Sequence, residues 1–170
     1  AMNALAAFSQ VVKDATSQLG ESDFAQVLSN GIRELIAADD TSLIRYLDAG
    51  PPVIEYTLPT KRRGKTILNR YVKGPFLLDP FYRAAEVEGR FGVFRLSTLA
   101  PSGFKESEYF RTWYHECSFQ DECGLLIKLN SGSINLALGM TDGSRRFAKR
   151  QVDQLEDIFP AIEALVRRHW

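Results

Sequence analysis

Residues 123–140 read Cys-Gly-Leu-Leu-Ile-Lys-Leu-Asn-Ser-Gly-Ser-Ile-Asn-Leu-Ala-Leu-Gly-Met. Asn130-Ser131-Gly132 has the chemistry of a tight turn, so Cys123–Leu129 and Ser133–Met140 pair as an antiparallel hairpin. Cys123 to Ile127 and Ile134 to Leu138 are apolar at odd and even positions alike. A strand with one wet face alternates apolar with polar; these strands read as covered on both faces. The sheet therefore needs a packed layer on each side.

Working outward, Thr41–Leu47 and Val53–Leu58 read as a second hairpin across the turn Asp48-Ala49-Gly50-Pro51-Pro52. Phe91–Leu96 reads as a lone strand. Leu5–Leu19 has a helical stripe ended by Gly20, and Ser22 is placed to cap a second helix to about Ala38. Between the hairpins lie three helical stretches: Thr66–Lys73, a segment opened by Asp79-Pro80 and running to Val87, and the aromatic-rich Glu106–Cys117. Asp79 is placed to cap its helix, with Pro80 in the first turn. A long helix is expected over Ser144–Trp170, kinked at Pro160. The reading is an α/β fold: an α-β-α sandwich around a mainly antiparallel sheet of about five strands. The terminal helices form one layer and the middle helices the other.

The chain has 170 residues, 21 basic and 21 acidic. One domain over 1–170 suits that length. With 45% apolar and 25% charged residues, it has an ordinary globular composition, which excludes a disordered tail and a disulfide scaffold. Zero net charge argues against a free-standing nucleic-acid binder. No apolar run approaches the roughly 20 residues of a membrane span. Cys117 and Cys123 are expected to be reduced thiols, since a metal site wants more Cys or His nearby. The basic run Lys61-Arg62-Arg63-Gly64-Lys65 lacks the strand–glycine–helix setting of a phosphate cradle and reads as a solvated loop. Ala1 before Met2 is expected to be a tag residue. The helical register at Trp170 suggests a piece of a longer protein.

No catalytic triad, metal-binding helix or phosphate loop is present, so no enzyme activity, metal or cofactor is expected. The unusual density surrounds Asp79: Tyr71, Phe76, Phe81 and Tyr82 are close in sequence. Either the rings are core and Asp79 is only a cap, or they enclose a small-molecule pocket with one placed carboxylate. That carboxylate could accept a hydrogen bond from an amide or ammonium group, and the tyrosine rings could stack on a cation. Strand parity adds Tyr46 (with Ile44) and Tyr56 (with Ile54), which line the pocket if their faces meet the middle helices and are core otherwise. Asp121 and Glu122 could add acidic groups or be exposed carboxylates at a loop end.

The same residues resemble the signal-binding domain of LuxR-type transcription regulators. Tyr71 matches the family's tyrosine helix, Asp79-Pro80 its Asp-Pro, and Phe94 its following tryptophan position. Phe104-Lys105-Glu106-Ser107-Glu108 is similar to the start of its acidic helix, and Gly124 to Leu129 to its Gly-led strand. The likeness runs over roughly Phe24–Trp170. It implies a sandwich akin to GAF and PAS sensor domains, with the ligand between the sheet and the middle helices. It also implies a helix-turn-helix after the last helix, through which alone DNA would be bound. In the family's acyl-homoserine-lactone receptors a Trp precedes the pocket tyrosine and another occupies the position of Phe94. Neither is present here, which implies a ligand other than a standard acyl-homoserine lactone.

The expectation is therefore a cytoplasmic sensor domain, homodimeric and without membrane contact. Its small-molecule effector would be held by Asp79, Tyr71, Phe94, Tyr46, Tyr56, Phe76, Phe81 and Tyr82. The alternative is a ligand-free dimerisation module on the same scaffold.

Overall fold

The hairpin of residues 123–140 forms the middle of the sheet. In the computed structural model, which describes residues 3–59, 65–117, 119–141, 143 and 145–170 (backbone only at 65, 66 and 117), β4 (Asp121–Lys128) pairs with β5 (Ser133–Met140). On one side β5 pairs with β1 (Asp40–Tyr46), which pairs with β2 (Val53–Thr57); on the other β4 pairs with β3 (Gly92–Arg95). The order β2-β1-β5-β4-β3 is antiparallel throughout, with five strands as the sequence implied. Gly132 makes the central turn possible: at φ +73°, any Cβ would lie 2.0 Å from the carbonyl oxygen of Tyr46.

Two separate apolar cores flank this sheet. The first lies under the terminal helices α1 (Ala4–Ser17), α2 (Phe24–Ile36) and α7 (Lys149–His169). It contains Leu28, Ile32, Leu125, Ile127, Ile134, Leu136, Leu155 and Ile162, all fully buried. The second lies under the middle segments: α3 (Lys65–Tyr71), a 3₁₀ turn (Pro75–Leu78), α4 (Pro80–Tyr82), the short α5 (Leu96–Leu99) and α6 (His115–Cys117). The expected layers are present, but the middle one is broken. The helix at Asp79 turns π-helical over Arg83–Val87, and the one ending in α6 is π-helical over Phe110–Tyr114. Such turns widen the backbone and are frequent at functional sites.

Three boundaries differ from the sequence reading. Helix α2 begins at Phe24, after Asp23, and Ser22 caps nothing. Helix α7 begins at Lys149. Residues before it are held extended: the Phe147 N–H donates to Asp121, and Arg145 pairs with Asp39. Gln151 then accepts from Ala148 N–H and donates to the carbonyl of Ile36, tying the start of α7 to the end of α2. The third difference is in β2. Leu43 faces Tyr56 but Ile44 faces Ile54, so Glu55 is an extra residue on the β2 side. A bulge of this kind reverses which face later side chains take. Ile54 packs on the middle-helix core and Tyr56 on the terminal-helix core, so the two do not share a face. The readings for Ala1, residues 61–64 and Ser144 lie outside the described residues.

Candidate functional site

Asp79 is fixed by its backbone before its chemistry begins. It sits in extended conformation between the 3₁₀ turn and α4, and Oδ1 accepts the N–H of Phe81 at 2.9 Å. It is thus the N-cap the sequence indicated, with Pro80 supplying a first-turn residue that needs no partner. Oδ2 is turned into the molecule, where it accepts the hydroxyl of Tyr71 at 2.5 Å and, more distantly, that of Tyr46 at 3.5 Å. Behind them Asn135 Nδ2 donates to the Tyr46 hydroxyl at 3.2 Å. The carboxylate is therefore both a cap and a buried member of a network.

This network forms one wall of a cavity of about 60 Å³ between the sheet and the middle helices. Its aromatic walls are Tyr71, Tyr109, Trp113, Tyr114 and Phe119; its floor includes Ile44, Asn135, Ala137 and Gly139. Trp113 meets Tyr71 edge-on, with ring centroids 6.2 Å apart. A second carboxylate, Glu122, also lines it and accepts the hydroxyl of Tyr114. The cavity is smaller than the roughly 150 Å³ void that holds a benzene. A ligand of more than a few heavy atoms must move a wall. Tyr114 and Phe119 also line a neighbouring groove, so the two spaces share that wall.

Burial governs the acid–base state. It pushes the Asp79 carboxyl above the usual carboxylate range, and bonds from Tyr71, Phe81 N–H and Tyr46 pull it back. Burial and the Asp79 charge hold Tyr46 and Tyr71 well above the ordinary tyrosine value; burial and Glu122 do the same for Tyr114. These phenols are neutral at physiological pH, and the hydroxyls of Tyr71 and Tyr114 give their protons to the carboxylates. On the sheet's other side, burial pushes the Cys123 thiol up to about 12, so it is an inert core group. No His/Cys/Asp/Glu group that could hold a metal occurs among the described residues. Nor is any helix there long and apolar enough to cross a membrane.

Of the expected site residues, Asp79 and Tyr71 line the cavity and Tyr46 lies directly behind them. Phe76, Phe81 and Tyr82 back the wall: Tyr82 stacks edge-on against Tyr46 and Phe76, and the buried Phe81 ring lies over Gly124. Phe94 packs on the same core beneath Arg90 but does not line the cavity. Tyr56 is on the opposite face, where its hydroxyl accepts from Asn30 Nδ2. Asp121 and Glu122 are both buried rather than exposed. Strand alternation sends them apart: Asp121 accepts Arg95 and the Phe147 N–H, while Glu122 enters the cavity. Trp113, Tyr109, Tyr114 and Asn135 escaped the sequence reading, the first three because an aromatic helix reads as ordinary core.

No family model matches the chain. A protein of Aeromonas salmonicida, named as an HTH-type transcriptional regulator in the exeN 3′ region, is 30% identical over 93 residues, which are 54% of this chain and 47% of that protein. The chain thus spans less than half of that relative's length. Among solved structures, the ligand-binding domain of VqsR from Pseudomonas aeruginosa aligns with a TM-score of 0.81 at 22% identity, over 96% of each chain. The phycoerythrobilin-bound GAF domain of a cyanobacterial phytochrome aligns with a TM-score of 0.66 at 10% identity, over 99% of this chain and 97% of that one. The fold is that of GAF domains, as the sequence led one to expect.

Proposed function

We propose that this chain is the small-molecule-sensing domain of a LuxR-type transcription regulator, with the effector held between the sheet and the middle helices. The observation that carries this reading is a buried carboxylate, Asp79, aimed into an aromatic cavity. Sites of that kind take small ligands: mostly apolar walls, few polar groups, each fixed in place. The likeness to an HTH-type regulator and to a ligand-binding domain of the same fold supports it. The cytoplasmic location, homodimeric state and absence of catalysis belong to the same reading. DNA would be bound through a helix-turn-helix outside these 170 residues.

The effector is not a standard acyl-homoserine lactone. Such a lactone presents carbonyl acceptors and a single amide donor. Here the hydroxyls of Tyr71 and Tyr114 are already committed to Asp79 and Glu122. Binding orders the broken middle helices and is transmitted to α7 or a dimer contact. For this to act as a switch, the ligand must bind one conformation better than the other.

Native mass spectrometry of the purified chain, followed by thermal shifts against a ligand panel, tests the reading. A retained or added small molecule is expected to raise the melting temperature by mass action. Asp79→Ala is expected to remove that shift while leaving the domain folded, at about 1 kcal/mol for the lost cap. A chain that dimerises but retains and binds nothing is instead the ligand-free dimerisation module. A ligand that binds Asp79→Ala with unchanged affinity removes Asp79 from the site.

A further inference from the structure

We propose that the effector carries a protonated amine, recognised by acceptors spread along the sheet side of the cavity: Asp79 and Asn135 at one end, and Glu122, beside Gly139, at the other. This rests on reading the cavity as the effector site. The first observation is an orphan: Asn135 is 1% exposed, lines the cavity, and its Oδ1 has no hydrogen-bond partner among the described residues. The amide's orientation is set by its neighbours. Tyr71 and Tyr46 give their protons to Asp79, so the Tyr46 oxygen is free to accept from Asn135 Nδ2. Oδ1 is thereby left as the acceptor. A buried acceptor without a donor is costly, and a ligand N–H removes that cost.

The second observation is the direction of the hydrogen bonds that the cavity's carboxylates receive. Three carboxylates line it, Asp40, Asp79 and Glu122; Asp79 and Glu122 each receive the proton of a tyrosine, Tyr71 and Tyr114, and Asp40 accepts the N–H of Thr41. Thr41 spends its hydroxyl proton on the carbonyl of Ala137. The cavity thus offers acceptors and negative charge, while the phenol protons of Tyr71 and Tyr114 are already used. No Lys, Arg or His lines it among the described residues. An ammonium group supplies three donors and the matching charge. The rings of Trp113, Tyr71 and Tyr109 line the same cavity, and aromatic rings attract a cation through their quadrupoles. A carboxylate or phosphate would meet only like charge. Gly124 belongs to the same device: a Cβ there would lie 2.8 Å from Asn135 Oδ1, so the glycine leaves the amide its place.

The test is calorimetric titration at pH 7 with phenethylamine, tyramine and cadaverine, each against its alcohol and carboxylic-acid counterpart. At least one amine is expected to bind saturably, and its counterparts at least tenfold more weakly. Glu122→Gln keeps an acceptor for Tyr114 but removes the charge; Asn135→Leu removes the orphan acceptor at similar volume. Each is expected to weaken amine binding about tenfold or more, with cooperative thermal unfolding retained. A structural role alone would leave amine affinity in Glu122→Gln unchanged, and that result overturns the assignment. An alcohol or acid that binds as tightly as its amine, and is lost in Asp79→Ala, overturns the amine but keeps the cavity as the effector site. An amine indifferent to Asp79→Ala, Glu122→Gln and Asn135→Leu alike binds elsewhere and overturns both. Failure of all three amines to bind overturns the amine.

Discussion

The two faces of the sheet are built from the same strands and have opposite characters. On β4 and β5 the residues toward the terminal helices are Cys123, Leu125, Ile127, Ile134, Leu136, Leu138 and Met140, a continuous aliphatic layer. The alternating positions are Glu122, Gly124, Asn135, Ala137 and Gly139, polar or small, with Leu126 the one large apolar group. The first face meets two long helices and one other, with their apolar stripes inward. The second meets short segments interrupted by π turns and rich in aromatic rings. Small residues on a sheet leave space, and rings held by broken helices leave that space adjustable. One face supplies stability; the other gives some of it up for a cavity.

The largest effect should come from truncation on the aliphatic side. Leu136 is fully buried there, and Leu136→Ala should cost about 2–5 kcal/mol, the transfer loss plus the void it leaves. Ile67 lines the cavity and is only half-buried. Ile67→Ala should cost about 1 kcal/mol, since less area leaves water. Urea denaturation of the two variants measures both. Equal losses would mean that the faces do not divide the labour.

A smaller effect, of opposite sign, belongs to Asp79. Its carboxyl is raised above the usual 3.8 chiefly by burial. Between the unfolded and the folded value, the folded state holds a proton that the unfolded state has released. Stability therefore falls as pH rises through that window. Asp79→Asn keeps a capping side chain and carries no charge. The variant should flatten that part of the pH–stability curve and leave the unliganded domain at least as stable at pH 7, while losing effector binding. A destabilisation of more than about 1 kcal/mol at pH 7 would show that the carboxylate serves the fold rather than the ligand.

The fold was legible because its signals were repeated. Five strands, two tight turns and helical stripes on both sides each pointed to a two-layered cover. The cap at Asp79 was legible because Asp-Pro states its geometry locally. What failed was parity. Cys123 to Ile127 looks apolar at every position, yet across β4 and β5 one parity is large and apolar while the other, Leu126 apart, is small or polar. Size, rather than hydrophobicity, was the signal that could have found Asn135 and decided for Glu122 between the pocket and an exposed loop end. Tyr56 was misplaced because a single extra residue at Glu55 reverses the face, and no residue type there announces a bulge. Trp113 and Tyr114 went unassigned because an aromatic at helical spacing gives no sign of whether its ring meets other side chains or empty space.

The smallest effect lies on the stable face, and it asks whether that face is as inert as its aliphatic composition implies. At the end of α7, the His169 ring stacks on Phe24, with centroids 4.1 Å apart and planes within 12°, and Nδ1 accepts the N–H of Gly20. That bond requires an unprotonated Nδ1. Partial burial lowers the His169 value below the ordinary 6.5, against a weaker opposing pull from Glu55. A base depressed in the folded state takes up its proton more readily when unfolded, so its contribution is complete above about pH 6.5 and is lost as pH falls below it. The Gly20 amide should therefore exchange faster, relative to its intrinsic rate, at pH 5.5 than at pH 7.5, while the amides of Leu125 and Leu136 keep their relative protection. His169→Ala should remove the difference at a cost of about 0.5 kcal/mol, typical of an exposed contact. Unchanged relative protection of Gly20 would show that the ring merely rests on Phe24. Loss of protection at Leu136 as well would show that the terminal-helix layer unfolds as one unit from its end. In that case the division between a stable and an adjustable face would hold only at neutral pH.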